Sequence, residues 1–124
     1  MGLHTDLPVY RDAKALMVLA AELSKNFPRP FRRVAEKLND GCIEIMMSIF
    51  HANVATDKVP HIDALREHLE VVKLTLQLAL ELRLVSKSQW ASTAEYTGSI
   101  GKQTTGWLKS ASARLNHGGQ GRHG

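Results

Sequence analysis

Residues 62–82 read IDALREHLEVVKLTLQLALEL, and their apolar side chains recur every three or four positions. This spacing places the apolar side chains along one side of an α-helix. A second apolar row lies roughly opposite the first, and a helix that is apolar on two sides must be covered on both. The inner row is Ile62, Leu65, Leu69, Val72, Leu76 and Leu80, and the outer row is Val71, Leu74, Leu78, Leu82 and Val85.

Three further stretches have the same helical period, and each is bounded by residues that stop a helix. The first ends near Asn26, because Pro28 and Pro30 oppose its continuation. The second spans about residues 31–54, and the last begins at a serine cap, which is either Ser86 or Ser88. No stretch shows the apolar-polar alternation of a half-buried strand. The sequence therefore predicts an all-α protein.

Short connections between the four helices predict an antiparallel, up-down-up-down four-helix bundle over residues 1–116. For the Gly-rich residues 117–124 we expect a flexible tail. The second helix also has a second apolar row, which is Ile43, Met47, Phe50 and Val54. The outer apolar rows of the second and third helices predict a homo-oligomer, because burying each leucine contributes about 1.5–3 kcal/mol and a second copy would cover them. Alternatively, one helix is simply central in an irregular bundle. The residues predicted at the oligomer interface are Met47, Phe50, Leu74, Leu78 and Leu82.

The composition is that of a globular chain, with 44% hydrophobic and 23% charged residues among 124. No apolar run approaches the roughly 20 residues that a membrane span needs, and the first residues lack the apolar region of a secretory signal. We therefore expect a cytoplasmic protein. The single Cys42 lies within the apolar pattern of the second helix, where we expect a small buried hydrophobe.

Groups that could carry catalysis are few. The sequence has no Gly-rich phosphate loop, nucleophile elbow or CxxC pair. His61 and His68 are seven residues apart on one face of the third helix, with Glu67 beside His68, a pattern that could indicate a metal in the bundle core. The other helices lack the Glu-x-x-His pairs of a di-iron bundle. We therefore predict surface histidines and no catalytic residue, metal or cofactor, with a metal enzyme as the alternative hypothesis.

Two basic segments hold the surplus positive charge. Residues 25–37 and residues 87–124 each contain four more cations than acids. We expect the two segments to meet, on the premise that the fourth helix ends beside the turn between the first two. Such a surface would bind phosphates without reading bases, or an acidic protein. The alternative is that cations near the end of the fourth helix complement its dipole and that the others keep the surface soluble.

The helical pattern, NFPRPFRR at residues 26–33 and GKQTTGWLKSASARLN at residues 101–116 together resemble the S23/accessory variability determinant family of small four-helix proteins. The resemblance covers about residues 7–116. It is closer to the accessory variability determinant (Avd) of diversity-generating retroelements than to the S23 type. The S23 type, which is encoded within ribosomal-RNA intervening sequences and has no defined activity, is the alternative.

The resemblance to Avd implies a non-enzymatic protein that assembles as a barrel-like, ring-shaped homopentamer. It implies binding to the retroelement reverse transcriptase and to template RNA or cDNA, in support of adenine-directed mutagenic reverse transcription. It also implies close helix approach at Gly101 and Gly106, with Trp107 and Leu108 as packing anchors. The contact residues that it implies for polymerase or nucleic acid are Arg29, Arg32, Arg33, Lys37, Lys102, Lys109 and Arg114.

Overall fold

The computed structural model describes the backbone of residues 3–123 and the side chains of residues 3–115. Within this range the chain forms four α-helices and no strand, which confirms the predicted all-α fold. Short 3-10 helices precede the first two, at His4–Asp6 and Arg29–Phe31. The four helices are α1 (Pro8–Ser24), α2 (Arg32–Val54), α3 (Val59–Glu81) and α4 (Lys87–His123).

The helix α4 continues past the boundary that the sequence predicts at residue 116. Gly124 and the side chains of residues 116–123 lie outside the described residues, so the flexibility predicted for residues 117–124 stays a prediction. No helix among the described residues is long and apolar enough to cross a lipid bilayer.

The helices pack as an antiparallel bundle in which α2 contacts α1 and α3, and α4 contacts α3 and α1. The predicted inner rows meet at the centre, where Leu16, Ile45, Leu65 and Ile100 are fully buried. Burial also raises the pKa of the Cys42 thiol to about 12, which confirms its role as a small buried hydrophobe. The main buried cluster is Val9, Ala13, Leu16, Ala20, Leu38, Cys42, Ile45, Ile49, Leu65, Leu69, Val72, Leu76 and Ile100.

Polar contacts fix the helices against one another where the apolar core ends. Asn39 Nδ2 donates a hydrogen bond of 3.0 Å to Ser24 Oγ, joining the start of α2 to the end of α1. Asp12 Oδ2 on α1 accepts hydrogen bonds from Ser99 Oγ at 2.6 Å and Gln103 Nε2 at 2.7 Å, both on α4. Hydrogen bonds to an ionised carboxylate are stronger than neutral ones. This polar clamp therefore holds α4 alongside α1.

Two helix ends are closed by side chains. Lys58 Nζ donates to three carbonyls at the end of α2, those of Ala52, Asn53 and Ala55, at 2.9–3.0 Å. The start of α4 has a capping box, in which the Gln89 N–H donates to Ser86 Oγ and the Ser86 N–H donates to Gln89 Oε1. The serine cap is therefore Ser86, the first of the two predicted candidates.

Two helices approach each other closely at Gly41, where α2 meets α3. A Cβ atom at Gly41 would lie 2.6 Å from Val72 Cγ2, a distance that the packing cannot accept. The close approach implied by the resemblance lies elsewhere, at Gly101 and Gly106. A Cβ at Gly101 would make an ordinary 3.7 Å contact with Leu69, and a Cβ at Gly106 would meet nothing within 4 Å. Of the four glycines among residues 3–115, Gly41 is therefore the one that packing requires.

Replacing Gly41 with alanine is expected to destabilise the fold by about 1–2 kcal/mol, despite the better helix propensity of alanine. Val72 is fully buried and its β-branched side chain has little rotamer freedom to move away. The matched control is Gly106→Ala, which adds the same methyl group in open space and is expected to stabilise by about 0.5–1 kcal/mol. Urea unfolding followed by circular dichroism measures both, and equal effects would contradict the steric explanation.

Candidate nucleic-acid interface

The seven predicted contact cations do not gather at one place. All are exposed, and they occupy three levels along the bundle. Arg29, Arg32, Arg33 and Lys37 lie at the α1–α2 turn and in the first turns of α2. Lys102 lies halfway along the bundle, beside the Gly101–Leu69 contact. Lys109 and Arg114 lie at the opposite end.

The expectation that the end of the fourth helix, with Lys109 and Arg114, meets the first basic segment is therefore wrong. Ala111 of α4 packs with Ala52 and Ile62, which flank the α2–α3 turn. Along α2 the rise from Arg33 to Ala52 is about 28 Å, so Lys109 and Arg114 lie far from the α1–α2 turn. The physical reason is the reversal of direction at every short turn. After three reversals the start of α4, and not its end, lies beside the α1–α2 turn.

The α1–α2 turn is joined instead by the α3–α4 turn, which carries the exposed cations Arg83 and Lys87. The register is given by the contact between Gly41 and Val72. From that contact, Arg33 lies about 12 Å along α2 and the end of α3 about 15 Å along α3 in the same direction. Neither cation of the α3–α4 turn was among the predicted contact residues. Counting the reversals of the chain would have found both.

We call the exposed cations at this end the turn-end surface, which consists of Arg29, Arg32, Arg33, Lys37, Arg83 and Lys87. Residues 22–37 and 81–87 together contain seven cations and three acids, and the remaining residues contain nine of each. The net charge of +4 is thus concentrated at one end of the bundle. A concentrated positive field of this kind attracts polyanions.

The cations of the turn-end surface are not neutralised by carboxylates of the described residues. The one ion pair at this end joins Lys25, which is not counted in the surface, to Glu22 at 2.8 Å. The other ion pairs of the described residues join Arg66 to Asp63, His68 to Glu44 and Lys73 to Glu70. The six side chains of the turn-end surface are therefore available to an external anion.

The helix termini at this end are of both polarities, since α1 and α3 end where α2 and α4 begin. Both α2 and α4 begin here, and neither has an acidic residue in its first turn. Arg32 and Arg33 open α2, Lys87 opens α4, and α2 has no side-chain cap. A helix N-terminus carries partial positive charge, so each exposed cation there loses about 0.3–1 kcal/mol that an anion would regain. The alternative that cations complement a helix dipole applies at helix C-termini, so it does not explain Arg32, Arg33 and Lys87.

The dipole alternative also fails for the two cations at the opposite end. Because α4 continues to His123, Lys109 and Arg114 lie more than two turns before its end, and the dipole acts within the last turn. Lys102 instead lines a groove of about 820 Å³ between α3 and α4, opposite acidic and basic side chains of α3. These three cations therefore belong to two surfaces other than the turn-end surface.

The histidines of the third helix face α2. His61 lies against His51, with ring centroids 5.8 Å apart, and His68 Nε2 lies 3.9 Å from Glu44 Oε2. Among the described residues no group of three or more His, Cys, Asp or Glu side chains is arranged to hold a metal ion.

All five residues predicted at an oligomer interface are exposed in the single chain, with between 38% and 69% of each accessible. Met47 and Phe50 lie in the second half of α2, Leu74 and Leu78 in the second half of α3, and Leu82 directly after the end of α3. Val85, predicted in the same outer row, is buried instead, because the chain turns at the end of α3. The exposed residues have the accessibility that an interface needs, and the interface itself stays a prediction.

Comparison with known proteins supports the resemblance found in the sequence. A family model described as bAvd-like matches residues 11–111, which include most of α1, the whole of α2 and α3, and α4 as far as Ala111. No curated protein matches the chain. The match covers well over half of the 124 residues. The chain therefore belongs to the bAvd-like family.

Proposed function

We propose that this protein is a non-enzymatic accessory protein of a diversity-generating retroelement, which binds the reverse transcriptase and its template RNA or cDNA and supports mutagenic reverse transcription. Family membership supports the accessory role. The observation that carries the binding role is the turn-end surface, where unpaired cations and two helix N-termini meet at one end of the bundle. The outer apolar rows support assembly of several copies, with the pentamer of Avd as the expected form.

The turn-end surface is suited to phosphates more than to bases. Arginine presents a planar fork of N–H donors that matches phosphate oxygens, and such contacts position a nucleic acid without reading its sequence. The two Pro residues that flank Arg29 restrict the backbone of the α1–α2 turn, so its cations are presented with less loss of conformational freedom on binding. Binding is therefore expected to depend strongly on salt and weakly on sequence.

Assembly would multiply this surface. In a closed ring with cyclic symmetry every copy points the same end in the same direction. A ring would then present one turn-end surface per copy on a single face, and several weak contacts to one RNA strand combine into much tighter binding. The opposite face and the apolar rows would be left for the polymerase and for neighbouring copies.

Reversing the charge of both arginines that open α2, as R32E/R33E, is expected to weaken RNA binding by roughly 10- to 100-fold and to flatten its salt dependence. Fluorescence anisotropy with a labelled template RNA over a salt series measures both quantities. Co-purification with the reverse transcriptase, with and without RNA, separates the polymerase contact from the RNA contact.

The matched control is R11E/K14E, which makes the same charge change on exposed positions of α1 near the other end. Unchanged helicity and oligomer size in both variants would show that the fold is intact. Equal losses of RNA affinity in the two variants would mean that binding follows net charge alone. If neither variant nor wild type retains RNA or polymerase, the proposed accessory role is wrong.

Replacing Leu78 with glutamate is expected to break the assembly while leaving the bundle folded, because Leu78 is 43% exposed in the single chain and a new charge would be buried only in an interface. The expected change in unfolding free energy of the subunit is small, about 0.5 kcal/mol. Gln77→Glu, one position away and exposed, is the charge-matched control. Sedimentation velocity reports the masses, and a monomeric wild type would rule out the assembly.

A further inference from the structure

We propose that Arg83 contacts nucleic-acid phosphate from a left-handed backbone position at the end of α3, and that Lys87 continues this contact onto α4. The ligand is the phosphate backbone of RNA lying across the turn-end surface. This inference rests on the proposed RNA binding of that surface. It adds the α3–α4 turn as a second contributing segment, which neither the resemblance nor the family match assigns.

The end of α3 is closed by a backbone motif that normally uses glycine. The N–H of Leu84 donates to the carbonyl of Ala79 at 2.8 Å, and the N–H of Arg83 donates to the carbonyl of Leu80 at 3.0 Å. This pair of bonds is the Schellman motif, in which the residue after the helix adopts a left-handed conformation. That residue here is Arg83, with φ of 60°, and no other non-glycine residue in the described range has positive φ.

An arginine in this position strains the backbone of the free protein, and the C-terminus of α3 beside it favours a cation. Its Cβ atom crowds the backbone in the left-handed region, a strain that glycine would avoid. Its charge adds to the surplus positive field of the turn-end surface. Arg83 is exposed, and its side chain forms no hydrogen bond or ion pair with other described residues that would offset the strain. What arginine supplies and glycine cannot is a cationic fork directed at an external anion.

The position of the α3–α4 turn fits one continuous phosphate path. The first turn of α2 lies next to the last turn of α3 at nearly the same height, and packed helix axes are about 8–10 Å apart. Long arginine side chains on the two helices can therefore reach neighbouring phosphates of one strand. Lys87, in the first turn of α4, lies on the far side of the same turn. The anchor of this turn is Val85, which is buried.

The test separates binding from stability, because the two are expected to change in opposite directions. Arg83→Gly keeps the left-handed turn and removes the charge. It is expected to raise the melting temperature by roughly 2–6 °C and to weaken binding of a labelled single-stranded RNA by about 3- to 10-fold, with a salt slope shallower by about 0.7. Arg83→Asn, which also tolerates the left-handed region, is expected to show the same loss of binding.

Two further variants make the result specific. Arg83→Lys keeps the charge and is expected to keep the salt slope. Arg11→Ala, which removes an exposed arginine near the other end, is expected to leave RNA affinity within about 2-fold of wild type. Wild-type affinity in both Arg83→Gly and Arg83→Asn, or an equal loss in Arg11→Ala, would overturn the role of Arg83.

The same titrations distinguish failure of this inference from failure of the proposed function. If R32E/R33E loses RNA and Arg83→Gly does not, the turn-end surface binds RNA without Arg83, and this inference alone is wrong. If the wild type binds no RNA at any salt concentration, the proposed RNA binding and the role of Arg83 are both wrong. A higher melting temperature without loss of RNA binding would mean that Arg83 strains the turn without contributing to binding.

Discussion

The reversal of the chain at every short turn is the constraint on which both the core and the candidate interface depend. Residues 25–31, 55–58 and 82–86 connect the helices, and none of these segments is long enough to carry the chain across the bundle. Each helix must therefore return alongside the one before it. The first and third turns then share an end, as do the starts of α2 and α4, so two cationic turns and two positively polarised N-termini meet.

Periodicity predicts the core well, because each inner row is a local property of one helix. Contacts between helices are not local, so the period of one helix does not predict a residue's role where that role depends on such a contact. Gly41 illustrates this difference. Within α2 it is only a weak helix former, and its necessity comes from Val72, which the period of α2 does not specify. Gly106 is the opposite case. It lies in the segment that resembles Avd, yet a side chain at this position would face open space.

The sequence predicts one part of the candidate interface and misses the other, for similar reasons. Charge clustering in the chain predicts Arg29, Arg32 and Arg33 as contact residues, and the topology of the bundle alone decides what lies beside them. Arg83 was missed for a second reason. The apolar row of α3 continues in the sequence through Leu82 to Val85, so periodicity hides the helix end after Glu81. The left-handed residue that closes such a helix is visible only once its hydrogen bonds are known.

Unfavourable features of this bundle are concentrated at one end and not spread over its surface. Elsewhere the polar groups are satisfied: Lys58 closes the C-terminus of α2, Asp12 is bonded across to α4, and no buried side-chain nitrogen or oxygen of the described residues lacks a partner. At the turn end, cations occupy helix N-termini and an arginine occupies a glycine conformation. Local choices that oppose stability and share one location indicate a surface shaped by what it binds. A polyanion is the partner that would relieve the charge repulsion there, since its phosphates oppose the side-chain charges and the positive N-termini of α2 and α4.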